Sequence, residues 1–182
     1  LSSSSAASDV YKRQVVNSHF STESGMLMDE AIMNVILEKY HIRIGRKAAE
    51  TLKMALGVEW DLNRDARICE VCGISTITEL PVKIAVTGEI VAQALNPILY
   101  RIFSGITSVI QMTPPAILGD IREHGIVLIG GVAQLKGLKE LVLKVTDMKA
   151  HVADHPSYVN AVGAGSALEY MDYFRDSLQD LH

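Results

Sequence analysis

The chain has 182 residues, 48% hydrophobic and 21% charged, with a formal net charge of -4. This is ordinary globular composition with enough chain for a sizeable core. The mild acidity and the lack of a Lys/Arg cluster argue against nucleic acid as a main partner. The best apolar run, Ile90–Ile110, is interrupted by Gln93, Asn96 and Arg101 and does not read as a membrane span.

Leu1–Gln14 (LSSSSAASDVYKRQ) matches nothing after it, and no apolar core follows a charged start, so it is not a signal peptide. Ser5–Gln14 resembles a translated adapter from DNA library preparation. Residues 1–14 are therefore expected to be a non-native leader outside the fold. The natural sequence would start near Val15 and extend upstream in the natural protein.

Val15–Phe20 reads as a short strand. Leu27–Tyr40 carries apolar residues at Met28, Ala31, Ile32, Val35 and Ile36, the spacing of an amphipathic helix. A second helix is predicted over Arg46–Leu56, stopped by Gly57, and Val58–Asp65 is polar and turn-rich. Arg67–Cys72 and Val82–Thr87 read as strands. Gly88–Thr113 is the longest predicted helix, with a stripe wide enough for deep burial and a kink expected at Pro97 unless a boundary falls there. Pro114 and Pro115 break the chain before a short helix, Ala116–Arg122. Ala150–Ala153 is a further strand. After Pro156 comes a last long helix, with Gly163 and Gly165 near its start, where glycine usually permits close packing. Its far end pairs an apolar stripe (Tyr170, Met171, Phe174, Leu178, Leu181) with a wet row of Asp172, Asp176 and Asp180. Strands alternating with helices make the class α/β.

Cys69 and Cys72 form a CxxC, but no second Cys or His pair is spaced to complete a zinc site. On a strand, positions three apart face opposite sides, so the sulfurs would not converge. Both read as reduced thiols. His151 and His155 lie in an extended segment beside Pro156, which removes the helical geometry that a metal pair needs.

The stretch most suggestive of chemistry is HGIVLIGGVAQLKGL, His124–Leu138. An apolar strand meets Gly130 and Gly131, and a helix is predicted from Ala133 to Lys144. Such a turn can present backbone N–H groups and the positive end of a helix to an anionic ligand, which suggests a nucleotide. A tight strand-to-helix turn by itself also favours glycine.

Several segments, in order, resemble the C-terminal half of the bacterial actins of the MreB/Mbl type. They are GMLMDEAI (Gly25–Ile32), IGRKAAETLKMALG (Ile44–Gly57), Leu80-Pro81, Glu89-Ile90, TPP at Thr113–Pro115, Asp120-Ile121, the HGIVLIGG run and DHPSYVNAVGAGSALE (Asp154–Glu169). The resemblance covers Val15 to about Tyr170. It implies the second large domain of the actin-like ATPase fold shared with heat-shock chaperones and sugar kinases. Residues 15–44 and 90–182 would form a lower nucleotide-binding subdomain and residues 45–89 a smaller upper one. The adenosine end of ATP would lie between them, approached by the backbone of Gly130 and Gly131 and by Val132 where the family has a third glycine. Glu50 and Lys53 would match the adenine- and ribose-side pair, or else form a solvated i,i+3 ion pair. Gly25 would match a glycine at the phosphate-side entrance.

By the same resemblance the complete protein would bind ATP with Mg2+, hydrolyse it slowly and self-associate into filaments in the cytoplasm beneath the inner membrane. It would govern rod cell shape with the cell-wall elongation machinery. The membrane-inserting segment and most of the Mg2+ site belong to the family's other half. No DxG or GGGT-type loop occurs in this chain, so alone it is expected to be inactive as an ATPase. Four positions depart from the family pattern: Met26 replaces an aspartate, Arg46 an acidic residue, Ile129 a threonine and Val132 the third glycine. A β-branched residue at Val132 is expected to crowd a ligand and to suit a positive φ poorly. The alternatives are a pseudo-actin that assembles with weakened nucleotide binding, or another protein of the actin superfold.

Overall fold

The computed structural model describes residues 4–9, 14–58 and 67–169. Strand β1 (Ser4–Asp9) pairs antiparallel with β2 (Gln14–Phe20), from Ser4 opposite Phe20 to Asp9 opposite Gln14, with a bulge at Ala7/Ser8. Residues 4–9, expected outside the fold, thus form a strand. Neighbouring backbone supplies ladder hydrogen bonds whatever the side chains are. The His19 ring on β2 lies against Gly105 of the long third helix.

Helix α1 (Gly25–Tyr40) starts at Ser24, whose Oγ accepts from the Leu27 N–H at 3.4 Å. It buries Met28, Asp29, Ile32 and Ile36. His41 ends it in the left-handed region, at φ 55. A two-residue strand that the sequence pattern did not reveal, β3 (Ile42–Arg43), follows. Helix α2 (Arg46–Leu56) then runs between Gly45 and Gly57 as predicted.

Strands β4 (Ile68–Ser75) and β5 (Pro81–Thr87) form an antiparallel pair, with β3 on the outer edge of β4. Cys69, Val71 and Gly73 pair with Val86, Ile84 and Val82 on the inner face. Cys72 falls on the exposed face, so the two free thiols point apart as the strand period requires. Helix α3 (Gly88–Met112) passes unbroken through Pro97. Gln93, whose carbonyl the proline cannot serve, is exposed, so the missing bond falls on the wet side. Helix α4 (Pro115–His124) follows the two prolines. Strands β6 (Ile126–Leu128) and β7 (Ala150–Val152) run parallel, joined through α5 (Leu138–Thr146). Helix α6 (Val159–Glu169) completes the described chain. Among the described residues, added methyl groups at Gly163 and Gly165 would meet nothing within 4 Å. The predicted loop beyond Val58 and the stripe and aspartate row beyond Glu169 lie outside the described residues.

One apolar cluster joins these parts. Met28, Ile32 and Ile36 of α1, Leu52 of α2, Val91 and Leu95 of α3 and Val142 of α5 belong to it and are essentially inaccessible. A second join is polar. The Val58 N–H donates to the Lys136 carbonyl at 2.8 Å, and Lys136 Nζ donates to the Ala55 carbonyl at 3.0 Å, one of the open carbonyls at the end of α2. Gly137, at φ 84, lies so close to Val58 that a Cβ there would overlap the Val58 carbonyl oxygen. This contact corrects the single helix expected over Ala133–Lys144. The chain instead makes a 3-10 turn (Gly131–Gln134), breaks at Gly137 and restarts as α5. Docking on α2 consumes the Lys136 carbonyl, and tertiary contact overrides local helix propensity.

Glu23, just before α1, grips Arg101 of α3 through Nε to Oε1 at 2.5 Å and Nη2 to Oε2 at 3.1 Å. The hydrogen bonds that Arg101 donates to Glu23 raise its pKa above its ordinary value, so the cation persists at any relevant pH.

Gly137→Ala is expected to lower unfolding stability by about 2 kcal/mol, because a positive φ and a backbone overlap coincide there. Urea denaturation midpoints measure this, and an unchanged midpoint would contradict the close approach.

Candidate functional site

The turn after β6 is built on two glycines with different reasons for being glycine. Gly130 has φ 86 and ψ 171, a conformation open essentially to glycine alone. Its N–H donates to the Pro156 carbonyl at 2.7 Å, so that donor is spent inside the protein. Gly131 has no positive φ, and among the described residues a Cβ there would meet nothing within 4 Å. Neither conformation nor packing demands glycine at Gly131; it leaves open surface. Gly131 also opens the 3-10 turn, where an N–H has no acceptor within the helix.

Val132 does not have the positive φ that would make a β-branched residue unsuitable. It is half-buried and packs against the apolar cluster. Its Cγ2 lies 3.4 Å from where a Cβ on Gly25 would stand. The expected crowding is therefore directed at the start of α1. Gly25 is the first residue of α1, and the same Cβ position lies 3.5 Å from Lys53 Nζ. Gly25, Lys53 and Val132, far apart in sequence, thus converge on one point.

Lys53 is buried, and its ammonium is 2.7 Å from Asp29 Oδ1 and donates to the Gly25 carbonyl at 2.9 Å. This corrects the solvated i,i+3 pair with Glu50. Glu50 is exposed, one turn earlier on α2, and Lys53 turns instead to α1. Arg46, the first residue of α2, pairs with Glu30 at 3.4 Å, half-exposed on both sides, which contributes little. The helix end facing the turn also differs from expectation. The strand–glycine turn does not run straight into α5, and the N-terminus that meets Val132 is that of α1. No acidic residue occupies the first turn of α1, which Ser24 caps.

Asp29 is the participant the sequence analysis missed. A signal was present: Asp29, Ile32 and Ile36 share one face of α1, and Lys53 falls with Ala49, Leu52 and Leu56 on the buried face of α2. A carboxylate and an ammonium on two apolar stripes need each other. Among the described residues no group of three His, Cys, Asp or Glu side chains could hold a metal, and no helix is long and apolar enough to cross a membrane.

The chain as a whole is similar to known proteins. The cell shape-determining protein Mbl of Bacillus cereus is 31% identical over 158 residues, 87% of this chain and 47% of that protein. The crystal structure of MreB5 of Spiroplasma citri bound to ADP superposes with a TM-score of 0.78 at 22% identity, over 87% of this chain and 48% of that one. A MamK double helical filament superposes with a TM-score of 0.64 at 20% identity, over 78% of this chain and 43% of that one. The chain spans about half the length of the relatives it matches. The MreB/Mbl protein family matches residues 10–176, and to that family, with its actin-like α/β fold, this chain belongs.

Proposed function

We propose that this chain supplies the adenosine-side half of a nucleotide cleft in a filament-forming actin-like protein that governs cell shape. Its lower subdomain would be residues 15–44 and 90–182, and its upper one residues 45–89. The observation that carries the reading is the open surface at Gly131. It lies next to Val132, which abuts Gly25 at the N-terminus of α1. A glycine that neither backbone nor packing requires fits a site where a ligand approaches main chain. The exposed Glu50 is the side chain of α2 free to meet the sugar or base. ATP with Mg2+ is the ligand this reading assigns to the complete protein, with the ion held by the phosphates and by the family's other half. Filaments beneath the inner membrane and contacts with the wall-elongation machinery belong to the same proposal. An ADP-bound structure and a filament among the matched folds support it.

A second reading, a pseudo-actin that assembles without nucleotide, is favoured by one observation. The Gly130 N–H and the Lys53 ammonium are both already engaged inside the protein. Calorimetric titration of the chain with ADP separates the two. The first reading expects saturable binding that Gly131→Val weakens by about tenfold or more, while stability changes by less than about 0.5 kcal/mol. Sedimentation that shows assembly while ADP gives no heat supports the second.

Val132→Gly is expected to destabilise by about 1 kcal/mol without tightening ADP binding, because the side chain packs on Gly25 and the core. Thermal melts and the same titration check this; a gain in affinity would show that Val132 blocks the ligand.

A further inference from the structure

The charged residues buried among the described residues, Glu23, Asp29 and Lys53, cluster at one place. Glu23 stands just before Ser24, the cap of α1. Asp29 lies in the second turn of that helix, and Lys53 reaches it from α2, 2.7 Å from Asp29 Oδ1. Two carboxylates and one ammonium leave one negative charge over. Arg101 of α3 balances it. Its Nε and Nη2 donate to the two Glu23 oxygens, and its side chain is 54% exposed against 9% for Glu23. Neither Glu23 nor Arg101 lies in any motif that carries the family resemblance. A buried carboxylate without a counter-charge is costly in itself. Here it would also act on a ligand. Glu23 precedes Gly25 by two residues, and the reading just given, on which this inference rests, brings the phosphate end of the nucleotide to Gly25. At about 10 Å and an effective dielectric constant of about 20, one uncancelled charge changes the affinity for another by roughly tenfold.

We propose that Arg101 is a specificity-determining residue of the cleft. Without touching the ligand, it cancels the Glu23 charge and so lets the start of α1 accept the phosphates of a phosphorylated nucleoside. Base and sugar carry no charge, so the pair does not strengthen binding in general. It sets the preference for ADP over adenosine.

The test titrates the 182-residue chain with ADP and with adenosine in parallel, by calorimetry. The variants are Arg101→Met, Glu23→Gln, both together, and Arg101→Lys, with urea unfolding followed on the same proteins. Arg101→Met should weaken ADP binding by about tenfold and leave adenosine within about twofold. Glu23→Gln, which leaves the cation alone, should shift the ratio the other way and tighten ADP relative to adenosine. The double variant should return the ratio to its parental value. Arg101→Lys keeps the charge and loses the bidentate contact, so it should hold the ratio while stability falls. A pair that only ties the loop before α1 to α3 predicts something else: both ligands weaken together, in the same direction in both single variants and in step with stability. That result overturns the proposal. A double variant that stays as weak for ADP as Arg101→Met also overturns it, because Arg101 would then contact the phosphates itself. If Arg101→Met does not fold, Glu23→Gln decides, and an unmoved ratio there overturns the proposal. If the parental chain binds neither ligand, the nucleotide reading falls and this inference with it. If both bind and no variant moves the ratio, the charge balance alone falls.

Discussion

A buried ion pair between Asp29 and Lys53 constrains how α1 packs on α2. Neither charge can be left alone, because desolvation without a counter-charge would cost several kcal/mol. Helices α1 and α2 must therefore keep the separation and rotation that hold 2.7 Å between ammonium and carboxylate. An apolar pair of similar volume could pack as stably. What the charged pair adds is direction, since a salt bridge tolerates far less sliding than two methyl-bearing side chains. Two long apolar stripes can meet in several registers, and a single charged pair selects among them.

A second constraint works with the first. The backbone of Lys136–Gly137 sits on the end of α2, where the Val58 N–H and the Ala55 carbonyl find partners. Once that docking holds, the segment after β6 cannot continue as one helix, and the glycine turn is pulled toward the start of α1. The chemistry at the turn changes accordingly. The positive helix end beside it is that of α1, sixteen residues long, and not that of the nine-residue α5. Gly130 is committed to the fold by its backbone, and Gly131 is the position left open.

These constraints explain why some departures from the family pattern matter less than their chemistry suggests. A valine in place of a third glycine looks obstructive when the turn is imagined alone. In the structure its side chain points into the apolar cluster, without backbone strain. Arg46, in place of an acidic residue, pairs with Glu30 on the surface, away from the Lys53 cluster.

Much of the architecture was legible in the sequence because periodicity and helix punctuation are local properties. Gly45 and Gly57 bracket α2, the 3.6-residue apolar spacing marks α1, and Pro114-Pro115 separates α3 from α4. The ordered series of motifs identifies the family, and the same motifs contain Gly25, Glu50, Lys53, Gly130, Gly131 and Val132. What each of them does was decided by tertiary structure. Lys53 turns to Asp29 and not to Glu50, Val132 packs inward, the helix after the glycines is broken at Gly137, and residues 4–9 find a strand partner in β2. Local sequence determines which backbone conformations are easy and which faces are apolar. It does not determine which distant carbonyl or carboxylate arrives within 3 Å of a given donor, because that depends on how whole elements pack, and packing is set by the sum of contacts across the core.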